Sequence, residues 1–188
     1  MSNILRKGIL LFGVILMAAC SMPETRIYSL HLPPDSSKPV VRKQAMITLR
    51  VQSPRYLAQP YVAHRLSPYQ LDISRYAKWD SAPVDMVREI FKDSLSVVCQ
   101  DVRTSNFAPE GSLVLNINLK RFERVEDSYA ELAFDAELYS PEGKELYHIQ
   151  KQKKVQLDTN DFAGVAKGLS SALNESVKEV LAGLGSKI

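Results

Sequence analysis

"SLVLNINLKRFERVEDSYAELAFDAELYSPEGKELYHIQKQKKVQL" (residues 112–157) is the stretch whose reading decides the fold. Its first third sets Leu113, Leu115, Ile117 and Leu119 on one side of an extended chain. Its second sets Ala130, Leu132, Phe134, Ala136 and Leu138 on one side, with Glu131, Asp135 and Glu137 turned out as a solvated strand face. Alternation at period two marks half-buried strands. Ser140-Pro141-Glu142-Gly143 puts proline and glycine where a reverse turn wants them. In the last third, Lys151, Lys153 and Lys154 suit an exposed or edge strand, because lysines discourage pairing with a foreign chain. The stretch reads as an antiparallel meander.

Upstream, "AMITLRVQ" alternates Ala45, Ile47, Leu49 and Val51 with polar positions, again a strand. "YVAHRL" and "YQLDISRY" flank Ser67-Pro68 and read as a hairpin. "DSAPVDMVREIFKDSLSVV" carries Pro83 at a first helical turn, then Val84, Val87, Ile90, Phe91, Leu95 and Val98 on one helical face. Downstream of the meander, residues from Phe162 to Leu184 repeat apolar side chains at three- and four-residue steps, with Asn160 or Asp161 placed to cap them. Strands joined by short turns, with helices set apart, predict an α+β fold: a mainly antiparallel sheet with two amphipathic helices packed on one face.

The amino end has its own logic. Arg6 and Lys7 precede a brief apolar run over residues 8–19, too short to span a bilayer but suited to a secretory signal. Met17-Ala18-Ala19-Cys20 resembles a bacterial lipobox, in which the cysteine takes a diacylglycerol and an N-acyl chain and becomes the mature N-terminus. Met17 departs from the usual leucine. Ser21, in place of a retaining aspartate, resembles the outer-membrane-sorted kind. The expected organisation is a signal peptide over 1–19, an acylated N-terminus with a short tether over 20–26, and one periplasmic domain over 27–188. Such a tether reaches at most ~20 Å when extended.

Removing Arg6 and Lys7 from the 24 basic residues leaves 22 against 21 acidic ones. A near-neutral body offers no basic field for nucleic acid. With Cys20 acylated, Cys99 has no partner for an intrachain disulfide and reads as a small buried apolar residue.

Catalytic chemistry has no foothold. His31, His64 and His148 fall in three separate strand patterns with no pair at metal-ligand spacing, and no nucleophile elbow or phosphate-cradling glycine loop occurs. The chain is read as a non-enzyme without cofactor or metal. Tyr56, Tyr61, Tyr69, Tyr76 and Trp79 crowd one region with Arg55, Arg65 and Arg75. Aromatic residues and arginine are enriched at interfaces, so this region fits a partner-contacting or lipid-contacting surface, and equally a cap on the core. Tyr69, Arg75, Tyr76 and Trp79 are the candidate partner surface.

Several of these features occur together in a known family. "YSL" soon after Cys20, the run from Pro54 through Arg65-Leu66, Tyr76 and Trp79 into the first helix, the meander, and a long helix rich in small residues resemble the ABC-type transport auxiliary lipoproteins, which include the paraquat-inducible protein C type. Ile27 stands where the family often has a second tyrosine. The resemblance implies a non-catalytic outer-membrane lipoprotein that works with mammalian-cell-entry (MCE) domain proteins and their inner-membrane partners to move lipid across the periplasm. Its role there would be docking. Homo-oligomeric rings are among the arrangements the resemblance allows. Other readings compete, an uncharacterised hydrolase last among them. A lipoprotein regulator of peptidoglycan enzymes would want a long tether through the cell wall, and a lipid carrier would want a large apolar cavity.

Overall fold

The computed structural model describes residues 24–33 and 42–188. Cys20, the signal-peptide reading and most of the proline-bearing connector after Leu32 lie outside them. The meander is present as β6 (Leu113–Val125), β7 (Tyr129–Tyr139) and β8 (Glu145–Gln156), paired antiparallel with Leu115 opposite Leu138 and Phe134 opposite Lys151. Before it come β1 (Arg26–Tyr28), β2 (Lys43–Gln52), a 3-10 turn at Arg55–Ala58, β3 (Tyr61–Ser67), β4 (Gln70–Trp79), α1 (Pro83–Val98) and β5 (Cys99–Thr104); α2 (Phe162–Leu184) follows it.

The eight strands of the described residues form one sheet, but it is mixed, which corrects the expectation of a mainly antiparallel one. Four of its seven pairings are parallel: β1 with β4, β2 with β5, β2 with β6, and β3 with β6. The reason lies in how the chain uses the long β6. β2 runs along the first half of β6's free edge, with Ile47 opposite Leu113. After the 3-10 turn, β3 runs in the same direction along the second half, with Ala63 opposite Glu123. Two successive strands thus share one edge of a third. The helix α1 then supplies the crossover that lays β5 parallel to β2, as parallel neighbours require. The "CQDVRT" run of β5 is short and charged, and the sequence reading assigned it no strand.

Both helices lie on the same face. Phe91 of α1 meets Phe134 of β7 edge-on at 5.6 Å between ring centroids. A Cβ on Gly168 of α2 would come within 3.1 Å of Ala130, four residues from Phe134 on the same strand and so on the same side. The core joins Ile47, Leu49, Leu115, Ile117, Leu132 and Leu138 to Val87, Leu95, Leu169, Leu173 and Val177. Cys99 is buried within it, and desolvation raises the pKa of its thiol. Asp161 caps α2 by accepting from the Gly164 N–H at 2.8 Å. Two half-buried lysines of the edge strand pair with that helix: Lys153 reaches Glu175 and Glu179, each at 2.8 Å, and Lys151 also binds Glu179.

Candidate docking surface

Among the described residues, the hairpin β3–β4 carries most of the large apolar side chains left in water. Tyr69 at its tip is 98% exposed, with Leu66, Ile73 and Tyr76 at 40%, 42% and 48%. Arg75 is exposed beside them. The tip is tightened by the Tyr69 N–H donating to Ser67 Oγ at 3.3 Å. Near the base, the Ala77 N–H donates to Ser74 Oγ at 2.9 Å. Pairing jumps there from Tyr61–Lys78 to Ala63–Ile73, a bulge in β4, while Ala63, His64 and Arg65 of β3 stay paired with β6.

Of the four residues expected on this surface, Tyr69, Arg75 and Tyr76 are exposed and Trp79 is not. Trp79 is 2% exposed and packs edge-on against Phe122 at 5.3 Å. It is a core residue, because the last two residues of β4, beyond the bulge, return to the packed sheet. Leu66 and Ile73, which alternation alone assigned to no surface, complete the exposed set.

A buried charge network holds the outer part of the hairpin to β6. The Arg65 guanidinium donates from Nε and Nη2 to both oxygens of Glu123, whose side chain is fully buried. Tyr56 donates its hydroxyl to Glu123 Oε2 at 3.2 Å. Burial first, and the Glu123 charge second, push the Tyr56 phenol up to about 12. Next door, Arg121 Nη1 donates to both oxygens of Glu131 at 2.9 and 3.0 Å, and Gln152 adds a bond at 2.6 Å. Glu131, expected on a solvated strand face, is therefore buried and paired. Arg121 reaches it from a bulge between Leu119 and Arg121 that shifts the register of β6. The backbone completes the anchorage, as the Glu126 N–H donates to the Arg65 carbonyl at 2.8 Å.

This network has little to offer chemically. A general acid or base needs a free carboxyl within reach of a substrate, whereas Glu123 and Glu131 are occupied by guanidiniums, a phenol and an amide. The three histidines stay apart: the His31 N–H donates to Ser170 Oγ, His64 contacts the Glu126 carbonyl, and His148 lies on the edge strand. No group of three His, Cys, Asp or Glu residues that could hold a metal occurs among the described residues. Clefts of about 280 Å³ below the hairpin and about 420 Å³ between Tyr28 and α2 are open to the surface. Volumes of this order suit ligands smaller than a diacyl lipid. The arrangement suits holding an exposed hairpin rigidly.

The sequence profile of the ABC-type transport auxiliary lipoprotein component family matches residues 28–180, nearly all of the described fold. The chain belongs to that family. This auxiliary lipoprotein is also similar to solved structures. One is a protein of Xanthomonas campestris from the DUF330 family, with TM-score 0.69 and 20% identity over 85% of this chain and 94% of that one. A second, described as an uncharacterised protein, has TM-score 0.65 and 16% identity over 85% and 98%. At these identities the likeness is of fold. No curated protein matches the sequence. The family is a transport component and not a known class of enzyme. No helix among the described residues is long and apolar enough to cross a membrane.

Proposed function

We propose that this auxiliary lipoprotein is held on the outer membrane by acyl chains on Cys20 and serves as the docking point there for an MCE-type, periplasm-spanning lipid transport system. The observation that carries the proposal is the closeness of Cys20 to the folded body: six positions separate it from Arg26, where β1 begins. A body held within ~20 Å of its anchor stays at the membrane and cannot reach far through the cell wall. That favours a station for something that comes to it over a regulator that must travel. The family assignment supports a transport role, and the saturated carboxylates under the outer part of the hairpin support a role that is mechanical.

The test is crosslinking of the full-length lipoprotein in intact envelopes, with partners identified by mass spectrometry. An MCE-domain protein among the leading partners is the expected result. Recovery of peptidoglycan synthases without any MCE protein would overturn the proposal.

A further inference from the structure

We infer that the tip of the β3–β4 hairpin rests on the bilayer that anchors the chain, so that the domain is oriented and not merely tethered. The inference rests on the Cys20 anchor proposed above. Its own evidence is the direction in which the chain leaves the fold. β1 pairs parallel with β4, Arg26 opposite Ala77 and Tyr28 opposite Trp79. Because β4 runs from the hairpin tip toward Trp79, the chain enters β1 at Arg26 from the side of that tip.

The lengths agree as well. Cys20 lies six positions before Arg26, and Leu71, next to the turn, lies six positions before Ala77. Either segment spans at most ~20 Å. An anchor at Cys20 and the hairpin tip can therefore meet one plane. Downstream the chain continues along α2, with the Tyr28 ring 6.2 Å from that of Phe162 at the helix start and the His31 N–H on Ser170.

The chemistry of the tip suits an interface between water and lipid. Leu66 and Tyr69 flank the turn and are exposed, Ile73 is exposed behind them on β4, and Arg75 and Tyr76 are exposed farther back, in the bulge. Tyrosine favours the headgroup level, where its ring meets apolar matter and its hydroxyl stays wet. Electrostatic attraction is not the driving force, because Glu126 and Asp127 stand at the same end and offset the nearby cations. Tethering raises the local concentration of bilayer, so a contact too weak to bind alone suffices to orient. The Gly143 turn and the carboxyl end of α2 then face away from the membrane.

The experiment uses the full-length, acylated protein in phosphatidylcholine vesicles, with part of the lipid brominated high on its acyl chains. A Tyr69→Trp variant adds an indole at the tip, and the wild type, whose sole tryptophan is the buried Trp79, gives the background. We expect the added emission to fall by half or more with brominated lipid, at low and high salt alike, while the wild-type emission holds. Protein that floats with the vesicles but keeps the added emission unquenched overturns the inference and leaves the anchor standing, the hairpin then being free for a protein partner. Protein that fails to float overturns the anchor, and the inference with it.

Discussion

Glu123 and Glu131 sit directly opposite each other in the β6–β7 ladder, two buried carboxylates side by side, and each is claimed by a different arginine. Like charges facing across a ladder are destabilising. They are tolerated here because Arg65 arrives from the hairpin and Arg121 from the bulge, so that the pair becomes two ion pairs. The hairpin is thus fastened by the need to neutralise Glu123.

Arg65→Ala should accordingly destabilise the domain by about 3 kcal/mol, since a buried carboxylate would lose its cation. Replacing Arg65 and Glu123 together by Met and Leu should recover most of that loss. Urea unfolding of the two variants and the wild type measures both. A loss for Arg65→Ala equal to that of an exposed arginine would show that Glu123 is not held in this way.

An alkaline limit follows from Tyr56. Its folded pKa is raised from 10.0 to about 12, so its contribution to stability is complete below 10 and is lost as pH climbs through 12. Tyr56→Phe should cost about 1.5 kcal/mol at neutral pH through the lost bond to a charged group. It should also flatten the decline above pH 10 relative to the wild type. Thermal unfolding across that window reads the difference.

At the acid end the sign reverses. Lys151, and then Lys153, hold the Glu179 carboxyl down from 4.5 to about 2. The stabilisation is therefore present above pH 4.5 and disappears as pH falls toward 2. Glu179→Gln should remove that portion of the acid sensitivity. Because the group is open to solvent, the effect should shrink in high salt.

Tyr69 and Trp79 belong to different parts of the molecule despite their adjacency in the aromatic region. Trp79→Ala should cost about 3–5 kcal/mol by emptying its place against Phe122. Tyr69→Ala should change stability by no more than about 0.5 kcal/mol. Denaturation midpoints of the two variants distinguish them, and similar losses would contradict the burial difference.

Much of this was legible in the residues. Period-two alternation in β2, β6 and β7, the Ser67-Pro68 turn, Pro83 at the start of α1 and the face of α2 are local patterns, set by where Cβ atoms point along a strand or helix. Family membership was legible for the same reason, as an order of such local features. Within the aromatic region, the sequence marked Tyr69, Arg75 and Tyr76 but could not tell them from Trp79, since a bulge at Ser74–Ala77 separates tip from core and nothing in the residue types announces it.

Only the tertiary structure decided the parallel pairings, the burial of Glu123 and Glu131, and the direction in which β1 leaves the sheet. Each depends on which distant strand lies alongside. Whether a glutamate on an outward-facing position meets water or a guanidinium depends on residues up to 58 positions away, as for Arg65 and Glu123. Alternation along one strand records the side on which a residue points; what waits on that side is a property of the assembled sheet.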